Sequence, residues 1–210
     1  MVLTLALFGY FKVSRIVKQL AIVFSVVLIS TLFPQGALAK DSLIWDKLQG
    51  KNPKGYVLLM RHALAPGVGD PEKFRLGDCT TQRNLSDEGR QDARDIGKWL
   101  EQRDLNIHSV ESSRWCRTKE TAELLGIGKV KLNKNLDSLF RESDLENHKQ
   151  TIETKKRIVS HRNTRGLLVL VGHAVNISAI TGITLDSGEG VLVRASAQGD
   201  INLMGFSPKP

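Results

Sequence analysis

"YVLLMRHALAPG", residues 56–67, decides the fold. Val57–Met60 is an unbroken apolar run, the kind that fills a strand buried on both faces, and it breaks abruptly at Arg61 and His62. The same break recurs in "GLLVLVGHAVNISAITG", residues 166–182, where Leu167–Val171 runs into Gly172 and His173. Strands buried on both faces belong to sheets covered by helices, and such sheets take ligands beyond the carboxyl ends of their strands. Both apolar runs end there, so His62 and His173 are expected to face each other across one pocket.

Strand and helix signals alternate from Gly55 onward. Ser86 followed by Asp87 and Glu88 reads as an N-cap and acidic first turn, with Ala93, Ile96 and Leu100 at helical spacing. A strand is expected around Ser109–Glu111, then a helix with Thr121, Ala122 and Leu125 on one face. Lys129–Leu136 alternates as a strand, and the basic segment 148–162 reads as a surface helix. "GEGVLVRAS" and "INLMGF" read as two closing strands. The alternation predicts an α/β three-layer sandwich with a largely parallel central sheet.

Composition allows one domain with a full core in the 210 residues. Residues 1–39 read differently: Lys12, Arg15 and Lys18 without an acid, the apolar Leu20–Phe33, then Ala37-Leu38-Ala39. Basic, apolar and small-residue segments in that order are those of a secretory signal, expected to be cut after Ala39 and to leave a domain over 40–210. A retained anchor is the alternative, although the 14-residue apolar run is shorter than the ~20 residues that span a bilayer. The destination is then periplasmic or secreted, with no membrane association once the signal is gone. The formal charge falls from +8 to 8 − 3 = +5. No aromatic and basic residues interleave as a nucleic-acid platform requires, whereas a positive field suits a small anionic substrate.

Cys79 and Cys116 both lie in the exported part, where a pair is expected to be bridged; two separate buried thiols are the alternative. A Cys-based phosphatase needs an arginine six residues after its cysteine, and Ala122 stands there after Cys116. Neither cysteine has metal-ligand spacing, and no cofactor or metal is expected. Arg61 at a strand end needs an anion, either a structural carboxylate or a ligand. In "SSRWCRTKETAELL", residues 112–125, Arg114 and Arg117 stand at the start of a helix, where free N–H groups already favour negative charge. Arginine forks pair two phosphoryl oxygens at once, so these groups around two histidines describe a phosphoryl site.

These segments together resemble the histidine phosphatase (phosphoglycerate mutase-like) superfamily. "RHA", residues 61–63, is similar to its Arg-His-Gly signature, and "LSDEGRQDA" from Leu85 to its Leu-(Ser/Thr)-x-x-Gly helix start. "SSRWCRTKETA" resembles its Ser-Ser-x-x-x-Arg-x-x-x-Thr-Ala segment, and "VGHAVNI" its second-histidine motif. The resemblance implies that His62 is the nucleophile, forming a phosphohistidine that water hydrolyses. It implies that Arg61, Arg117 and His173 line the phosphate pocket, with Arg114 a neighbour able to reach the substrate.

Two positions depart from the pattern. Some members place an aspartate after the second histidine, where this chain has Ala174; others place a glutamate after the third strand, where "NLDSLFRES", residues 135–143, has Ser138. Asp137 is therefore the expected proton donor, with Glu142 and Glu189 as rivals. Fixed positive groups serve phosphoryl transfer without a metal when enough arginines are present. The expected activity is an exported, metal-independent phosphomonoesterase acting on a phosphosugar, a lipopolysaccharide phosphate or another small organic phosphate. A phosphohistidine phosphatase is an alternative, because Arg83 precedes Asn84-Leu85-Ser86 much as an arginine precedes Pro-Leu-Thr in that branch. A weakly catalytic phosphate-binding protein and a phosphomutase are further ones. The segment "GVGDPEKFRLGDCTTQRN", residues 67–84, is long enough to set substrate choice, with Arg75 and Arg83 either contacting substrate or lying at the surface.

Overall fold

The computed structural model describes residues 43–207, and the expected export signal lies outside them. Six strands form one sheet in the order β3-β2-β4-β1-β5-β6. They are β1 Tyr56–Arg61, β2 Ile107–Ser112, β3 Val130–Leu132, β4 Leu167–Gly172, β5 Gly190–Ala195 and β6 Ile201–Phe206. The four strands β3, β2, β4 and β1 run parallel, while β5 and β6 join antiparallel at the β1 edge.

Alternation along the central strands divides the core into two layers. Leu58 and Met60 of β1 and Val169 and Val171 of β4 pack on one face against Ile96 and Leu100 of helix α1 (Asp87–Glu101) and Ala122 of α2 (Cys116–Leu124). Val57, Leu59, Leu168 and Leu170 point the other way, against Ile158 of α3 (Lys149–His161) and Ile177 of α4 (Ala174–Thr181). Both faces being covered is why these strands read as continuous apolar runs.

The Ser86 hydroxyl accepts the Gly89 N–H at 3.0 Å, capping α1 as its sequence indicates. Gly89 lies so close to the Leu64 carbonyl that a Cβ there would come within 2.2 Å of its oxygen, and Ser86 N–H donates to the same carbonyl at 3.0 Å. Glycine in "LSDEG" thus lets the helix start rest on the chain just after His62.

One expected element is shorter than its alternation suggests. Lys129–Leu136 contains a strand only at Val130–Leu132, followed by a 3-10 turn over Lys134–Leu136. Asn133 causes the switch: its side chain accepts the Asn135 N–H and caps that turn.

Candidate active site

β1 and β4 are in register as neighbours, Arg61 beside Gly172, so the residues that follow emerge side by side. His62 N–H donates to Gly172 carbonyl at 3.0 Å, and Ser113 N–H, after β2, donates to Val171 carbonyl at 3.0 Å. The rings of His62 and His173 meet edge to face at 5.6 Å between centroids, and both are buried. Around them a pocket of about 150 Å3 is lined by Arg61, Arg83, Arg117, the two histidines, Ser138, Ala174 and the Gly67–Gly69 turn, with Phe140 and Val175 at its apolar side.

The hydrogen bonds of His62 settle its tautomer. Nδ1 lies 2.7 Å from the Ala63 carbonyl oxygen, which can only accept, so Nδ1 carries the proton and Nε2 keeps a lone pair. Burial, opposed by that carbonyl and reinforced by Arg117, Arg61 and Arg83, lowers its pKa to about 3. His173 is likewise pushed well below the ordinary value, by burial first and then by His62 and the same arginines. Its Nε2 is 3.1 Å from the Ser113 hydroxyl, which accepts the Trp115 N–H. Both imidazoles are neutral in the free site.

The arginines are held from behind. Arg117, fully buried as the second residue of α2, directs NH1 and NH2 to the Asp70 carboxylate at 2.6 and 3.3 Å. Arg61 donates NH1 to the Leu185 carbonyl at 2.9 Å. The Nε atoms of Arg61 and Arg117 are buried without a hydrogen-bond partner among the described residues. Three arginines, Arg61, Arg83 and Arg117, line the same pocket, and such a concentration of positive charge suits an anion. The Thr121 hydroxyl accepts the Ala63 N–H at 3.0 Å and donates to the Arg117 carbonyl at 2.7 Å, tying the histidine segment to the arginine helix.

Of the residues expected from sequence, the pocket brings together His62, His173, Arg61 and Arg117. It does not take in Asp137 or Arg114. The Asp137 carboxylate accepts the Arg114 backbone N–H at 2.9 Å and its side-chain Nε at 2.7 Å and NH2 at 2.5 Å, so these two satisfy each other outside the pocket lining. Glu142 is exposed, and the Glu189 carboxylate accepts the Asp186 N–H at 2.7 Å; neither lines the pocket. Arg75 pairs at the surface with Asp78. Arg83 lines the pocket and holds the turn before it, donating to the carbonyls of Gly69 at 2.9 Å, Gly67 at 2.7 Å and Ala65.

Cys79 and Cys116 form a disulfide that ties the 64–85 segment to the start of α2. Gln82 adds a second tie, its side-chain oxygen accepting Cys116 N–H at 3.0 Å. Asp70 and Trp115 escape the sequence reading. The Trp115 ring stacks on Phe74 and meets His173 edge on, and its Nε1 donates to Asp70 at 2.9 Å. Asp70, beside Pro71 in a segment without periodicity, carries no local signal that it meets Arg117.

Residues 57–165 match the family model described as Histidine phosphatase superfamily (branch 1). The chain belongs to the histidine phosphatase superfamily. No curated protein sequence matches it. Solved structures of this superfamily share its fold at low identity. The protein histidine phosphatase SixA complexed with tungstate aligns over 72% of this chain and 95% of its own, at 16% identity and a TM-score of 0.54. Phosphoserine phosphatase from Entamoeba histolytica, in complex with phosphoserine, aligns over 72% and 95% at 14% identity and 0.55. A structure described as a putative α-ribazole-5′-phosphate phosphatase from Escherichia coli aligns over 74% and 97% at 14% and 0.54. Ala174 and Ser138, the two positions at which the sequence departs from the resemblance, both line the pocket.

Proposed function

We propose that the protein is an exported, metal-independent phosphomonoesterase that works through a phosphohistidine at His62. The observation that carries this reading is the His62 tautomer: Nδ1 is committed to a carbonyl and Nε2 keeps its lone pair, in a residue that lines one pocket with Arg61, Arg83 and Arg117. The Nε2 lone pair forms the N–P bond as the P–O ester bond breaks. Arg61, Arg117 and Arg83 balance the charge spread over the equatorial oxygens, work that fixed cations do without a metal. Water then attacks phosphorus, the N–P bond breaks, and inorganic phosphate leaves with His62 restored. His173 stands beside the transferring group as a neutral hydrogen-bonding partner whose orientation Ser113 fixes.

Export rests on the N-terminal sequence pattern and is supported by the disulfide, since such bridges persist in oxidising compartments. Substrates compatible with the pocket are phosphosugars, lipopolysaccharide phosphates and other small organic phosphates. One observation favours a second reading, protein phosphohistidine. Imidazole leaves with less proton assistance than an alkoxide, so a lining that carries Ala174 and Ser138 in place of acids suits it. Export opposes that reading.

The test is turnover of p-nitrophenyl phosphate by the purified protein in the presence of a chelator, followed by a panel of phosphosugars and a phosphohistidine peptide. Sustained turnover of phosphate esters is expected. Activity abolished by the chelator would remove metal independence, and no turnover of any phosphate compound would leave only a binding protein.

A further inference from the structure

A phosphomonoester has two ends, and the pocket has a different lining for each. We propose, on the footing of the phosphomonoesterase reading above, that the preferred substrates are phosphate esters of apolar alcohols rather than phosphosugars, with Val68 and Phe140 at the open side of the pocket receiving the alcohol portion.

The three arginines and the two histidines account for the phosphate. The other side chains of the lining are those of Val68, Ser138, Phe140, Ala174 and Val175, and among the described residues no carboxylate or amide side chain lines the pocket. Val68 is 87% exposed and Phe140 52% exposed. Exposed apolar side chains scattered singly need no explanation, but these two come from separate segments to one pocket. The segments meet there: a Cβ on Gly69 would lie 3.4 Å from the Phe140 ring, so the ring rests on the glycine next to Val68. Both are held in place. The Asn176 side chain accepts the Leu139 N–H at 3.2 Å and donates to the Asp137 carbonyl at 2.8 Å, which pins the turn before Phe140 to α4, and Leu139 itself is buried. On the other side Arg83 donates to the carbonyls of Gly67 and Gly69, the residues flanking Val68.

An alcohol rich in hydroxyls needs acceptors as well as donors when it leaves water. The Gly67 and Gly69 carbonyls already accept from Arg83, and the Ser138 hydroxyl accepts the Phe140 N–H at 3.4 Å. A sugar placed here would exchange its hydrogen bonds to water for contacts with valine, phenylalanine and alanine side chains. An alkyl or aryl group loses nothing by that exchange. It gains the transfer free energy of its apolar surface, up to about fourfold in binding for each methylene fully removed from water, and it covers the exposed Val68 and Phe140 at the same time. The contact is made away from phosphorus, so it is present both before and during the transfer. Its effect therefore falls on kcat/KM through KM.

Two esters of equal carbon number supply the test. n-Hexyl phosphate and glucose 6-phosphate are both phosphates of a primary alcohol, so they differ in hydroxyls rather than in the kind of bond that breaks. kcat/KM for both is measured in the same preparation, so the ratio is independent of how much of a variant folds. The wild-type protein is expected to favour hexyl phosphate about 10-fold or more, the worth of roughly two methylenes removed from water. Phe140→Ala and Val68→Ser are each expected to lower that ratio about 3- to 10-fold, with the loss in KM, and Phe140→Leu to retain most of it. Ile152→Ala, which removes an exposed apolar side chain of α3 outside the pocket lining, is expected to leave the ratio where it is. A wild-type preference for glucose 6-phosphate, or a ratio that neither Phe140→Ala nor Val68→Ser moves, would overturn the proposal and leave the phosphomonoesterase reading standing. Hydrolysis of neither ester, nor of p-nitrophenyl phosphate, would instead overturn the reading on which it rests.

Discussion

The pocket has two halves built by different means. Arg61, His62, Ser113 and His173 come from the ends of three adjacent parallel strands, held by register and by backbone bonds such as His62 N–H to Gly172 carbonyl. The facing half comes from residues 64–85, whose regular structure is one 3-10 turn at Cys79–Thr81. It is held by Arg83 on three carbonyls, Asp70 on Arg117, and the Cys79–Cys116 bridge. In the proposed reaction the sheet holds the groups that bind and attack phosphorus, while the segment supplies Gly67, Val68, Gly69 and Arg83 to the pocket lining. The two halves thus differ in what holds them: strand register on one side, side-chain ties and a disulfide on the other.

Breaking the strand half should cost the most. His62→Ala removes the attacking atom and is expected to lower kcat by about 10⁴-fold or more while the circular dichroism spectrum stays native. Retained activity would move the nucleophile elsewhere. Arg117 joins the two halves, and Arg117→Ala should lower kcat about 10²- to 10³-fold, the range for a lost oxyanion donor. A change confined to KM would mean that Arg117 grips the ground state alone.

Opening the loop half should act on stability more than on chemistry. Cys79→Ser with Cys116→Ser removes a bridge across a sequence separation of 37, which in the chain-entropy model costs roughly 3–4 kcal/mol. Urea denaturation should show that loss, with kcat nearly retained and KM raised. A kcat loss as large as that of Arg117→Ala would show that the two halves are not separable.

The smallest effect sharpens the contrast through pH. His62 and His173 have folded-state pKa values below the ordinary 6.5, His62 at about 3, so the unfolded chain binds more protons between those values. Stability is then complete above 6.5 and is lost as pH falls through the ordinary value toward the folded one. From pH 6.5 to about pH 5.5 His62 should remove about 1 kcal/mol, with His173 acting in the same direction, read from urea midpoints. Saturating inorganic phosphate should shrink the slope, because an anion on the arginines favours the imidazolium forms. A slope that phosphate leaves unchanged would place the titrating groups outside the pocket.

The same contrast explains what the sequence made legible. Val57–Met60 and Leu167–Val171 are long enough, and apolar enough, to require two covered faces, and that placed His62 and His173 together. Ser86 with Asp87 and Glu88 marked the start of α1 through a cap and an acidic first turn, both local. Asp137 shows that position along the chain says nothing of orientation: it stands one residue before Ser138, which does line the pocket, yet it pairs with Arg114, 23 residues earlier. Asp70 stayed hidden for the complementary reason, since its partner lies 47 residues away and neither periodicity nor a cap points toward it.

The central claim is that His62 Nε2 takes the phosphoryl group. Rapid quenching of the protein during turnover of a ³²P-labelled ester, followed by peptide mapping, tests it most directly. The account predicts acid-labile, base-stable phosphate on the peptide containing His62, discharged by chase with unlabelled substrate and absent from His62→Ala. Turnover without any trapped phosphoprotein, or label on a residue other than His62, would contradict it.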